Sequence, residues 1–178
     1  RLLGRDGSTT DEPAGDTADN LAEAFVRAVD PIRYPDGGLS PADVREIRRI
    51  KARVDTERLP RGADRTLHTK LGRGGLADVE WTVQLLQLEH AHRIPALKTT
   101  GTIPAIHAAV DAGLIDADAG RALIEGWTMA SRARNAIMLV TGKPGVEIPA
   151  HGRVLAGIAR ACGYPADTDP GEFVDDYR

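Results

Sequence analysis

Three glycines, Gly72, Gly74 and Gly75, stand directly before a stretch of helical periodicity, with Lys70 and Arg73 among them and Asp78 and Glu80 just after. The start of a helix exposes unpaired N–H groups and the positive end of the helix dipole, a setting that attracts anions. Lys70 and Arg73 add two cations to it. Asp78 and Glu80 are two residues apart, so on a helix they diverge by about 200° and do not chelate one ion as a pair. If Asp78 faces a cleft, Glu80 caps or braces the fold. The simpler alternative is a structural turn whose two acids complement the helix dipole. The segment is not a P-loop, because the G-x-x-x-x-G-K-[ST] order is missing. Nor does a strand precede it, as a dinucleotide-binding loop requires.

The elements that must position these residues read as helices. Ser40-Pro41-Ala42-Asp43 is a helix start: Ser40 caps, Pro41 suits the first helical position and Asp43 favours the positive end. That helix is predicted to reach about Arg58, with Val44, Ile47, Ile50, Lys51 and Val54 sharing a mostly apolar face and Arg45, Arg48, Arg49 and Arg53 around its sides. An earlier helix is expected near residues 21–29, with Leu21, Ala24, Phe25 and Ala28 on one face and Pro31 in the turn that follows. Residues 60–75 read as loop with a short extended piece at 67–71. A helix from Leu76 to about Arg93 carries a stripe of Leu76, Val79, Val83, Leu86 and His90.

Further helices are predicted over 102–112, from an Asp116 cap to Val140, and over 151–161, with a short one at 171–178. In the long helix Leu123, Ile124, Trp127, Ala130, Ile137 and Met138 point inward, Trp127 as a packing residue. No run alternates with period two. The expected fold is an all-α helical bundle of about five to six helices, spanning residues 20–178 behind a flexible acidic linker at 1–19.

Bulk properties agree with that class. The 178 residues suffice for one domain, and with 4% aromatics the core must come mainly from Leu, Ile, Val and Ala. Residues 1–30 hold three basic against seven acidic groups, whereas residues 41–73 hold ten basic against five acidic. The net charge of -3 lacks the basic excess of a nucleic-acid binder. The single cysteine, Cys162, forms no internal disulfide and sits in an apolar helical run where burial outweighs reactivity. No signal-type or membrane-spanning apolar stretch occurs, which predicts a cytoplasmic protein without membrane contact. The chain begins at Arg1, as a fragment or processed product does. His68, His90, His92, His107 and His151 show no metal-ligand spacing.

The run Ile47-Arg48-Arg49-Ile50-Lys51-Ala52-Arg53-Val54 and the segment Lys70-Leu-Gly-Arg-Gly-Gly-Leu-Ala-Asp78-Val-Glu80-Trp81-Thr-Val-Gln84-Leu-Leu-Gln-Leu88, with Pro95-Ala-Leu97 and parts of 106–114 and 132–139, resemble glutamine synthetase adenylyltransferase. The resemblance covers roughly residues 24–163. It implies a protein of two similar halves, each pairing a nucleotidyltransferase domain with a helical domain. One half transfers AMP from ATP to a tyrosine of glutamine synthetase with magnesium, and the other removes it by phosphorolysis. A PII-type signal protein and glutamine regulate both. This chain resembles a helical part alone, with Ala77-Asp78-Val79-Glu80 pointing to the C-terminal, adenylylating half. Trp81 and Val79 depart conservatively from the family's usual Phe and Ile.

The resemblance implies that Lys70, Arg73, Gly74, Gly75 and Asp78 lie near nucleotide phosphates, with Asp78 orienting them or a metal-bound water. Glu80, Arg48, Arg49 and Lys51 would support that site. The catalytic Gly-Ser and Asp-x-Asp belong to the adjacent domain: Gly7-Ser8 lies in a hydrophilic tail, and Asp16 and Asp19 have the wrong spacing. The isolated chain is expected to be inactive and to bind neither ATP nor magnesium alone. Two other readings are a docking module for the PII-type signal protein, and the helical region of the related signal-protein uridylyltransferase.

Overall fold

A computed structural model of the chain describes the backbone from residue 15 to 178 and side chains from residue 20 on; the tail motif Gly7-Ser8 lies outside the described residues. Seven α-helices follow in order: α1 (Gly15–Arg33), α2 (Pro41–Glu57), α3 (Leu76–His90), α4 (Thr102–Asp111), α5 (Ala117–Thr141), α6 (Arg153–Ala161) and α7 (Pro170–Tyr177), with a 3-10 turn at Pro95–Leu97. The class is all-α, as the periodicity predicted. Among the described residues the only β pairing is an antiparallel bridge between His68 and Glu147, where a short extended piece was expected.

The long α5 organises the bundle, packing along α3, α4 and α6. Its inward face is built of small residues, Gly120, Ala130, Ala133 and Ala136, which let neighbouring helices approach closely. Ile137 and Ala133 join Leu67, Ile148, Leu155, Ile158, Phe173 and Val174 in one core cluster. Val79 and Val83 of α3 meet Ala105 and Ile106 of α4 in another, with Trp127 packed at its edge. Each fully buried aliphatic or aromatic side chain here is worth about 1.5–3 kcal/mol by area. The last helix is pinned by Phe173, whose ring meets Tyr164 edge-on at 5.5 Å, while Tyr164 Oη donates to Asp176 Oδ2 at 2.5 Å.

Several boundaries differ from the sequence reading. Helix α1 starts at Gly15, inside the stretch expected to be linker, and runs through Pro31. Proline there has no N–H to give the helix ladder, yet the next turn closes, Tyr34 N–H donating to the Asp30 carbonyl at 2.7 Å. Helix α3 ends at His90 rather than near Arg93. Its buried set is Leu76, Ala77, Val79, Val83 and Gln87, with Leu86 and His90 only half-buried. Gln87 takes the interior place because its amide donates to the carbonyls of Leu97 and Thr99 at 2.8 and 2.7 Å, which satisfies it there. Helix α6 begins at Arg153, since Gly152 holds φ +93°, outside the helical region. Met138 is 55% exposed near the end of α5 and is not a core residue. Cys162 is half-buried just past α6, and burial pushes its thiol pKa up.

The first two helices are covered far less than their patterns suggested. No residue of α2 is buried, although Ser40 and Asp43 form a full capping box at its start. Its apolar face is only partly covered: Val44, Ile47 and Val54 are partly buried and Ile50 is 41% exposed. On α1 the expected inward residues Leu21 and Phe25 are 73% and 66% exposed.

Candidate functional site

The glycine-rich turn is held from three sides. Leu67 and Thr69 pair with the segment after α5: Ile148 N–H donates to the Leu67 carbonyl at 2.9 Å and Thr69 N–H to the Val146 carbonyl at 2.7 Å. The buried His68 accepts from Leu71 N–H on Nδ1 at 2.9 Å, and its carbonyl accepts from Gly72 N–H at 2.8 Å. A Cβ on Gly72 would collide with the backbone carbonyls of His68 and Arg65, so the turn closes only with glycine there. Gly74 adopts φ +71°, the left-handed region. From below, Gly126 of α5 lies under the Gly74 carbonyl.

The chain folds back on itself to start α3. Leu76 N–H donates to the Thr69 carbonyl at 3.0 Å and Ala77 N–H to the Lys70 carbonyl at 2.9 Å, while Asp78 N–H donates to the Gly75 carbonyl. Gly74 N–H donates to Asp78 Oδ2 at 2.9 Å. The helix start is therefore satisfied by the protein itself, which corrects the expectation that its bare N–H groups await an anion.

Asp78 is the centre of the cluster that joins the turn to α2. Its Oδ1 lies 2.5 Å from Lys51 Nζ, and the same ammonium reaches both oxygens of Asp55 at 2.6 and 2.7 Å. Burial opposes the charge on Lys51, but its hydrogen bonds to Asp55 and Asp78 outweigh that and hold its pKa above the usual lysine value. Lys51 is thus a strut between two helices rather than a cation facing a ligand. The sequence reading missed Asp55, although its position four residues after Lys51 marks an ion pair along one helix face. Asp78 and Glu80 do part company as their spacing required. Asp78 faces α2, whereas Glu80 lines a small hollow of about 40 Å³ on another side of α3, beside Gln87 and Thr100.

Above the cluster lies an open cleft between α2 and the turn. One hollow of about 440 Å³ is lined by Ala52, Leu71 and Gly72 together with the acids Asp55 and Asp78 and the bases Arg65 and Arg73. A second, of about 540 Å³, continues between α2 and α3 past Arg48, Ile47, Trp81 and Leu85. Arg65 is fixed by donation to the Asp55 carbonyl at 2.6 Å. Among the described residues, Arg48, Lys70 and Arg73 make no ion pair, whereas Arg49 is paired with Glu46 at 2.9 Å. Lys70 is exposed and lines neither hollow. The structure therefore brings Arg73, Asp78, Arg48 and Lys51 to one cleft, adds Arg65, and leaves Arg49 and Lys70 outside the hollows themselves.

The donor chemistry here does not suit magnesium. Among the described residues no three His, Cys, Asp or Glu side chains gather to hold an ion. Asp78, expected to orient phosphates or a metal-bound water, is engaged by Lys51 and Gly74. What the cleft offers is guanidinium groups around a fixed turn, which suits phosphate oxygens.

A family model described as GlnD PII-uridylyltransferase matches residues 48–178, from within α2 to the last helix. The chain belongs to that family. Curated relatives named bifunctional glutamine synthetase adenylyltransferase/adenylyl-removing enzyme match nearly the whole chain. The protein of Mycobacterium avium (strain 104) is 57% identical over 164 residues, that of Mycolicibacterium smegmatis 56% over 164, and that of Streptomyces avermitilis 54% over 165. Each match covers 92–93% of this chain but 16% of the relative, so the chain spans about one sixth of the length of these proteins. Together with the all-helical fold, these matches agree with the resemblance carried by the glycine-rich segment. No described helix is long and apolar enough to cross a membrane.

Proposed function

We propose that this chain is the helical part of the adenylylating, C-terminal half of a glutamine synthetase adenylyltransferase. In the longer protein it completes the site of an adjacent nucleotidyltransferase domain. There the full enzyme transfers AMP from ATP to a tyrosine of glutamine synthetase, under control of a PII-type signal protein. Magnesium would neutralise the phosphates from ligands in the adjacent domain, since the residues of this chain do not fit it. The chain's own part is to present Arg48, Arg65 and Arg73 to nucleotide phosphates across the cleft, with Lys70 at its approach. Asp78 keeps the turn and α2 in register so that those cations converge. Without the adjacent domain the chain does not catalyse transfer.

The observation that carries this reading is that Arg65 and Arg73 line one hollow and Arg48 the adjoining one, beside a turn locked by Asp78. The names of the relatives, at 53–57% identity, favour adenylyl transfer over the uridylyltransferase reading that the family model's description invites. The test uses the full-length protein with Lys70→Ala or Asp78→Ala, measuring adenylylation of glutamine synthetase beside thermal stability. Folded variants with parental activity would sink the site assignment. Capture of the PII-type protein by this helical part, with activity intact in both variants, would favour the docking reading instead.

A further inference from the structure

Leu21, Phe25, Ala28 and Ile32 of α1 recur at helical spacing and fall in one strip about 60° wide at 100° per residue. That is the pattern of a helix lying on a core. Here the strip is bare: Leu21, Phe25 and Ile32 are 73%, 66% and 79% exposed. The helix is nevertheless anchored, because Tyr34, the residue after its end, is buried among Ala91, Leu97, Ala108 and Ala109. The neighbouring α2 likewise buries nothing. Large apolar side chains grouped on one exposed face mark an interaction surface.

We propose that the apolar strip of α1 is the docking face for another domain of the same polypeptide, one that meets Leu21, Phe25 and Ile32 with apolar side chains of its own. This rests on the reading of the chain as one part of a longer enzyme. A 164-residue match within 178 residues necessarily takes in α1 and α2, so both helices occur in relatives of which this chain is 16%. More than four fifths of such a protein is therefore available to cover them. A strip of four side chains on one helix falls short of the roughly 800 Å² per partner that holds separate proteins together. Covalent linkage removes that requirement, since a tethered domain meets the strip at an effective concentration of order mM. This favours a linked domain over a second copy or a free partner.

The test is amide hydrogen exchange on the full-length protein without substrates, comparing the parent with Phe25→Glu and with Leu139→Glu, a control on another exposed apolar residue. The expected result is exchange in α1 slower in the parent than in Phe25→Glu by on the order of 100-fold, with Leu139→Glu behaving as the parent. Should Phe25→Glu unfold the bundle, seen as lost protection in α5, the pair Leu21→Ala and Phe25→Ala is read the same way. Exchange in the parent α1 as fast as in the variant overturns the proposal. Protection that rises with protein concentration as the mass doubles overturns it in favour of a second copy. Protection gained only on adding glutamine synthetase or a PII-type protein overturns it in favour of a separate partner. Because exchange is read without turnover, loss of the catalytic reading alone leaves this result standing.

Discussion

Lys51 Nζ sits 2.5 Å from Asp78 Oδ1, and this pair fastens α2 to the first turn of α3 across 27 residues of chain. Helix α2 fully buries no side chain, so this ion pair adds to the partial packing of Val44, Ile47 and Val54 in holding it. The ion cluster, with Arg65 on the Asp55 carbonyl, sets the width of the cleft. Lys51→Met should therefore lower stability by roughly 1–3 kcal/mol, between an exposed and a buried pair, because Asp55 and Asp78 then face each other without a counter-charge. Urea denaturation checks this, and an unchanged midpoint would count against it.

Gly72→Ala should be the most damaging single-methyl change in the turn. Its new Cβ meets two backbone carbonyls that belong to the fold and cannot swing away. Gly74→Ala has open space but a left-handed φ of +71°, and should cost about 1–2 kcal/mol. Thermal unfolding of the two variants checks the order. A Gly74→Ala loss larger than that of Gly72→Ala would contradict the turn geometry.

Gln87→Leu should destabilise by about 0.5–1.5 kcal/mol despite adding apolar surface, since it removes one donor from each of the Leu97 and Thr99 carbonyls and leaves only Thr99 N–H on the first and Tyr34 Oη, at 3.5 Å, on the second. Calorimetry of the variant is the check, and a gain in stability would show that the remaining donors suffice.

All three tyrosines should titrate late. The hydrogen bond to Asp176, aided by burial, pushes Tyr164 up to about 12; burial pushes Tyr177 to about 12 and raises Tyr34 above 10. A tyrosine whose folded pKa exceeds its unfolded one stabilises the fold in its neutral form. That contribution is whole below pH 10 and fades as pH rises toward 12. Tyrosinate absorbance should thus appear above pH 10, with α7 loosening in the same window. Normal titration of Tyr164 near 10 would mean its bond to Asp176 is absent in solution.

Local chemistry was legible in the sequence wherever neighbours decide it. Ser40 and Asp116 cap the helices they precede, and Gly142 ends α5 in the left-handed region, all from side chains or backbone within a turn. The divergence of Asp78 and Glu80 followed from helix geometry alone. What stayed hidden depends on the chain folding back. The carbonyls of Thr69 and Lys70 occupy the amides that open α3, and Lys51 is claimed by Asp78, neither of which spacing reveals. Periodicity found the apolar strip of α1 but says nothing of what covers it. Gln87 escaped because a polar residue beside an apolar stripe reads as its edge until its partners are seen.

The central claim is that the arginines of the cleft hold nucleotide phosphates while Asp78 only positions the turn. It is tested most directly by steady-state kinetics of AMP transfer in the full-length protein carrying Arg73→Ala, with Arg73→Lys as the charge-keeping control. The account predicts that Arg73→Ala lowers kcat/KM for ATP by on the order of 10- to 100-fold with the melting temperature unchanged, as loss of a charge-assisted phosphate contact does, and that Arg73→Lys recovers part of it. Parental kcat/KM for ATP in a folded Arg73→Ala protein would contradict it.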